Sequence, residues 1–82
     1  MSKETIYPIN SEYRLRKHEL KCDAGIAIIW DFQKFHVHQK TGKANWTFVA
    51  NDRDLVSLVN RYIEPRGIFP DAENADLLAS LI

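Results

Sequence analysis

The fold is decided by residues 25 to 50, which read GIAIIWDFQKFHVHQKTGKANWTFVA. Ile26, Ile28, Trp30 and Phe32 occupy even positions, and Phe35 and Val37 occupy odd ones. Successive residues of a β-strand point to opposite faces. If all these apolar residues share one face, the phase must be reset between residues 31 and 34. A tight hairpin with its tip at Phe32-Gln33 would do this, and a β-bulge is the alternative.

A second reversal of the chain is predicted at Thr41-Gly42-Lys43, because glycine adopts the backbone conformations that tight turns need. Centred on Gly42-Lys43, this turn pairs Val37 with Phe48 and Gln39 with Trp46. The two turns together predict a three-stranded antiparallel β-meander with strands at about 25–31, 34–40 and 44–50. The predicted apolar face of this meander consists of Ile26, Ile28, Trp30, Phe35, Val37, Trp46, Phe48 and Ala50.

After Ala50 the apolar residues recur every three or four positions, which is typical of an amphipathic helix. The pattern predicts a helix at about 52–63, capped by Asn51 or Asp52 and packed on the apolar face of the meander. A short C-terminal helix is predicted at about 71–81, with Pro70 at its entrance.

Residues 12–20 have two interpretations. Tyr13 and Leu15 alternate as in a strand, whereas the neighbouring Glu, Arg and Lys residues are good helix formers. We favour a fourth strand that pairs antiparallel with residues 25–31 across a turn at 21–24. The fold class is therefore α+β, in a single small domain of residues 1–82 whose residues 1–10 are expected to be loose.

The charge is balanced overall but not along the chain. The 82 residues are 45% hydrophobic and contain 11 basic and 11 acidic residues, for a formal net charge of zero. Such a chain has no global positive field that would attract nucleic acid or acidic membranes. The residues up to 50 are mildly basic, and the remainder is acidic.

Cys22 is the single cysteine, so an internal disulfide framework is excluded. No apolar run approaches the roughly 20 residues that span a bilayer. We therefore expect a cytoplasmic protein with no membrane partner.

Four residues have the atom types that bind zinc, namely His18, Cys22, His36 and His38. In the predicted meander His36 and His38 lie away from the turn that contains Cys22, so we expect no metal. A cysteine nucleophile would need a histidine within about 3 Å, and only His18 is near Cys22 in sequence. We expect no catalytic residues, no cofactor and no enzymatic activity.

What remains is a surface opposite the predicted apolar face. It combines apolar strand residues with basic edges, and such a patch can bind a partner, form a dimer interface or carry a helix. The residues predicted to bind a partner are Arg14, Arg16, Lys17, His18, Ile29, His36, His38, Lys40 and Lys43.

The expected function is a non-enzymatic protein-binding module. A meander that runs into one helix resembles, in its layout, small phage-encoded proteins that block host enzymes by surface contact. This resemblance implies a phage or mobile-element inhibitor or regulator that docks on a larger host protein, and a homodimer stays open.

The alternative is a small nucleic-acid-binding regulatory domain, because a three-stranded sheet backed by one helix also resembles the AP2-type and integrase arm-binding domains. Its contacts would be Arg14, Arg16, Lys17, Lys34, Lys40 and Lys43.

Overall fold

Four antiparallel strands form one sheet in the computed structural model, which describes residues 2–82. The strands follow each other in the sheet as they do in the chain, so the predicted α+β meander is confirmed. The sheet has four strands. The strands are β1 (Ser2–Pro8), β2 (Tyr13–Cys22), β3 (Gly25–Val37) and β4 (Ala44–Asp52).

The predicted hairpin at Phe32-Gln33 is wrong, because β3 runs straight through it as a 13-residue strand. The register between β2 and β3 is constant from Cys22↔Gly25 to Tyr13↔Lys34, so β2 pairs with β3 on both sides of this dipeptide. Phe32-Gln33 also lacks the Gly or Asn that two-residue hairpin turns favour.

A β-bulge is present opposite Phe32 and Gln33, but it lies in β4 and does not reset the phase of β3 as the alternative predicted. Phe32 pairs with Ala50 and Gln33 with Phe48, which leaves Val49 in β4 without a partner. Val49 packs against the core beside Ala50, as expected when a bulge turns two successive residues to one side.

The predicted register of the 41–43 turn is also wrong. Val37 pairs with Ala44 instead of Phe48, and Trp46 pairs with Phe35 instead of Gln39. Because the alternation of β3 is never reset, Phe35 and Val37 point to the opposite face from Trp30 and Phe32. The eight residues predicted to share one face are therefore divided between the two faces of the sheet.

The region 12–22 is a strand, as favoured, and the chain reverses at Asp23-Ala24. The expectation of a loose N-terminal segment differs from the structure, in which Ser2–Pro8 pairs with β2 along its whole length. The connection between them is ordered by Asn10, whose Oδ1 accepts hydrogen bonds from the amides of Glu12 (2.8 Å) and Tyr13 (2.9 Å).

The helical segment after β4 begins later than predicted, because β4 continues to Asp52. Asp54 caps helix α1 (Leu55–Leu58) by accepting a hydrogen bond from the amide of Ser57. The chain continues as a π-helical turn (Val59–Ile63) and a 3₁₀ turn (Glu64–Arg66), and then leaves the helix at Gly67, whose φ of 65° favours glycine.

Helix α2 (Ala72–Leu81) confirms the predicted C-terminal helix. It is attached by hydrogen bonds to the backbone carbonyl of Ile9, which accepts from the Asp71 amide (2.9 Å) and from Asn74 Nδ2 (3.3 Å). No helix within residues 2–82 is long and apolar enough to cross a membrane.

The core lies between one face of the sheet and the helical segment. We call this side of the sheet the covered face. The fully buried side chains of the core are Phe32 and Leu15 on the covered face, Leu58 in α1, and Ile9 in the connection between β1 and β2. The complete core is Ile9, Leu15, Trp30, Phe32, Ala50, Leu55, Leu58 and Ile63.

Candidate interaction surface on the open face of the sheet

The second face of the sheet points away from the helices. Strand alternation and the observed pairing assign its residues, and we call this side the open face. It is formed by Glu4, Ile6, Pro8, Arg14, Arg16, His18, Leu20, Ala27, Ile29, Asp31, Gln33, Phe35, Val37, Trp46 and Phe48.

A polar network occupies the middle of the open face and is centred on Asp31. Asp31 Oδ2 accepts hydrogen bonds from Arg16 Nη2 (2.9 Å) and Arg16 Nε (3.2 Å), and His18 Nε2 lies 2.6 Å from the same oxygen. Arg16 and Asp31 are direct cross-strand partners, so the sheet register itself creates this ion pair.

The network extends to the edge strand through His18, whose Nδ1 lies 3.2 Å from Glu4 Oε1. His18 thus has a carboxylate at each ring nitrogen, and the ring can donate to both only when both nitrogens carry a proton. Through Glu4, His18 and Asp31 the network connects β1, β2 and β3.

Arg14 connects this network to an aromatic group. Its Nε donates to Gln33 Oε1 at 2.7 Å, and its guanidinium lies 4.4 Å from the centroid of the Trp46 ring. Burial, and then the neighbouring Arg16 charge, lower the pKa of Arg14 from its ordinary value. The hydrogen bond to Gln33 and the cation–π contact with Trp46 hold the Arg14 side chain in place.

Apolar side chains cover the end of the open face nearest the 38–43 turn. The rings of Phe35 and Trp46 lie 5.1 Å apart at 57°, and beside them Phe48 is 61% exposed and Val37 48% exposed. We call these four residues the aromatic end. Large side chains at this level of exposure are unusual in a sheet face that has no partner.

Basic residues are close to the aromatic end in the sequence, and Lys40 and Lys43 border it in the turn. Strand alternation turns Lys34 and His36 to the covered face, where Lys34 Nζ lies 6.0 Å from the Tyr13 ring. The segment from residue 32 to residue 51 contains three lysines, Lys34, Lys40 and Lys43, together with His36 and His38, and no Asp or Glu. The turn is closed by hydrogen bonds between His38 and Lys43 (2.9 Å) and between Gly42 and His38 (2.8 Å). All five of these basic residues are exposed.

The structure brings together four of the nine residues predicted to bind a partner. Arg14, Arg16, His18 and Ile29 are all on the open face. Lys17 is not, because it lies on the covered face with its Nζ 5.5 Å from the Trp30 ring and 3.5 Å from Glu19 Oε1.

The other four predicted residues are near the open face without being in it. His36 is turned to the opposite side by strand alternation, since its neighbours Phe35 and Val37 point to the open face. His38, Lys40 and Lys43 lie in the turn that borders the aromatic end.

Seven residues of the polar network and the aromatic end were missed, namely Glu4, Asp31, Gln33, Phe35, Val37, Trp46 and Phe48. For Asp31 and Gln33 a signal existed, because they are polar residues in the middle of an apolar strand. A turn centred on Asp23-Ala24 places them opposite Arg16 and Arg14. The aromatic residues were assigned to the core because one common apolar face was assumed.

The four residues considered for zinc are separated. Cys22 is exposed at the end of β2 opposite Gly25, whereas His36 and His38 lie at the far end of β3. Within residues 2–82, no group of three or more His, Cys, Asp or Glu side chains is arranged to hold a metal ion.

The helical side has a concave feature of a different kind. An apolar cavity of about 420 Å³ lies between the α1 region, α2 and the sheet, and Glu64 is the one charged residue in its lining. Phe69, at its border, is 77% exposed. The cavity lining comes from the α1 region, residues 68–70 and α2, with Ile9 and Leu15 on the side of the sheet.

Comparisons with protein-family models, with curated proteins and with solved structures found no match to this chain. The class that the geometry defines is a small α+β sheet protein with one face covered by helices and one face open.

Proposed function

We propose that this protein is a non-enzymatic binding module, a small inhibitor or regulator of the kind that phages and mobile elements encode, which docks on a larger protein through the open face. The observation that carries the proposal is the aromatic end, where Phe48 and Val37 are exposed beside Trp46 and Phe35. Aromatic residues are enriched in protein interfaces and supply much of their binding energy.

The polar middle of the open face supports a protein partner over a nucleic acid. Arg16 is paired with Asp31, and His18 lies between Asp31 and Glu4. The guanidinium of Arg16 is thus already paired inside the protein and has little charge left for phosphate groups. Nucleic-acid affinity depends mainly on cations that are free to replace condensed counterions.

A nucleic-acid-binding function is the second candidate, and one observation favours it. The 32–51 segment combines three exposed lysines with an exposed phenylalanine and no acidic residue. Cationic strands with aromatic side chains are a common platform for single-stranded nucleic acids.

Site-specific photo-crosslinking in the source cells tests the proposal. A photoreactive phenylalanine analogue replaces Phe48 on the open face or, as a matched control, Phe69, which is also exposed but lies on the helical side. We expect one dominant protein adduct from position 48 and not from position 69. The adduct protein is then purified, and Phe48→Ser should weaken its binding by about tenfold or more, since truncating a central aromatic residue costs 1.4 kcal/mol or more.

Two outcomes contradict the proposal. Adducts of equal yield from both positions would show that the open face has no special role. Adducts that disappear on nuclease treatment would favour the second candidate.

A further inference from the structure

Resting on the proposed function, we infer that the partner presents an acidic segment with a large apolar side chain, and that this segment binds at the aromatic end of the open face. The apolar side chain contacts Phe48, and the carboxylates of the segment extend past Val37 to face Lys40 and Lys43 in the 38–43 turn.

The geometry of the β3–β4 hairpin places these features in sequence along one surface. The observed pairs on the open face are Val37↔Ala44 next to the turn, then Phe35↔Trp46, then Gln33↔Phe48. At about 3.3 Å per residue these three pairs span roughly 13 Å. An extended segment of four or five residues therefore reaches from Phe48 to the lysines of the turn.

The charge distribution determines which segment fits. The 20 residues from 32 to 51 carry +3, with histidines neutral, so the other 62 residues, with 8 basic and 11 acidic side chains, carry −3. The protein is thus neutral as a whole but positive at the end of the sheet where apolar side chains are exposed. Opposite charge on the partner accelerates association and excludes partners of like charge.

The arrangement of the rings favours a peptide over stacked bases. The Arg14 guanidinium lies over the Trp46 ring, where a base would stack, and the Phe35 and Trp46 planes are inclined by 57°. On the open face Phe48 is the one ring that is largely exposed, and a single exposed ring suits an apolar side chain better than a row of bases.

Selection from a random twelve-residue peptide display library against the full chain tests this inference. We expect the selected peptides to contain more Asp and Glu than Lys and Arg, together with at least one aromatic or large aliphatic residue. A variant with Lys40→Glu and Lys43→Glu should select basic peptides instead. A matched control with Lys21→Glu and Arg61→Glu changes the net charge equally at exposed sites elsewhere and should still select acidic peptides.

The affinity of one selected peptide is then measured by fluorescence anisotropy. We expect Phe48→Ser and the Lys40/Lys43 variant each to bind it about tenfold more weakly than the wild type, and added salt to weaken wild-type binding. Phe69→Ser should bind as the wild type does. Circular dichroism confirms that each variant is folded.

The outcomes separate this inference from the proposed function. Selected peptides without an acidic excess whose binding still depends on Phe48 would overturn the inference and leave the proposed function standing. Binding that is indifferent to Phe48→Ser would contradict both. Failure to select any peptide, or tighter binding of a twelve-nucleotide oligothymidine than of the selected peptide, would overturn the inference, the latter in favour of nucleic acid.

Discussion

The two faces of this sheet are built from the same strands but differ in whether the helical segment covers them. On the covered face β3 contributes Trp30 and Phe32, which are buried under the helical segment. On the open face the same strand contributes Asp31 and Gln33 at its centre and Phe35 and Val37 at its end. Both faces contain large apolar side chains, but only the covered face has an element of its own chain to bury them.

This difference separates residues that fold the protein from residues that are available to a partner. Burial of apolar surface on the covered face stabilises the fold. The exposed side chains of the aromatic end gain much less from folding, because they remain largely in water. Their exposure is the reason why we propose that this end of the sheet contacts another molecule.

The comparison is tested most strongly by truncating a phenylalanine on the covered face. Phe32→Ala removes a fully buried ring that stacks on Tyr13 at 5.2 Å, so we expect a loss of about 3 to 5 kcal/mol in the free energy of unfolding. A domain of this size has little stability to spare, so the variant should be largely unfolded at room temperature. Urea denaturation followed by tryptophan fluorescence measures it, and a loss below about 1 kcal/mol would show that the core is misassigned.

The next largest effect is expected at the centre of the open face. Asp31→Ala removes the acceptor shared by Arg16 and His18, so that Arg16 loses its ion-pair partner and His18 keeps only the contact with half-exposed Glu4. Breaking a buried pair in this way costs up to about 3 to 5 kcal/mol, and since Arg16 and His18 are partly exposed we expect about 2 kcal/mol.

Glu4→Ala is the matched control for Asp31, because Glu4 contacts the same histidine from a half-exposed position at the edge of the sheet. Its loss should cost no more than about 1 kcal/mol, as for other exposed ion pairs. Equal destabilisation of the two variants in urea would show that Asp31 is not the centre of the network.

The sequence predicted the elements of the fold better than their register. Alternation at Tyr13 and Leu15 indicated β2, and the three-and-four spacing after Ala50 indicated the helical segment. Strand β1 was missed because Ser2–Pro8 includes charged residues and a proline, and its order comes from pairing with β2 and from Asn10.

The hairpin was predicted where none exists because period-two alternation describes a strand with apolar residues on both faces as well as it describes a turn. Only the partner strand resolves this ambiguity, since β2 pairs with β3 on both sides of Phe32. Because of the same ambiguity, the residues of the aromatic end were assigned to the core. By contrast, Arg14, Arg16 and His18 were recognised as one side of a strand because their spacing of two is unambiguous once β2 is a strand.

A smaller effect is expected where the polar network meets the aromatic end. Arg14→Ala removes the hydrogen bond to Gln33 and the contact with the Trp46 ring, which together should cost about 1 kcal/mol. A double-mutant cycle with Trp46→Leu isolates the cation–π contribution, expected at about 0.5 kcal/mol or more. Strict additivity of the two single variants would show that the guanidinium and the indole do not interact in solution.

The smallest effect on stability is expected at Phe48, although it has the same side chain as Phe32. Its ring is 61% exposed and its strand partner is Gln33, so Phe48→Ser should change the free energy of unfolding by no more than about 0.5 kcal/mol. Loss of partner binding in a variant with unchanged urea stability would separate recognition from folding at a single position. If instead Phe48→Ser destabilised the protein as strongly as Phe32→Ala, the aromatic end would be part of the core and the distinction between the two faces would fail.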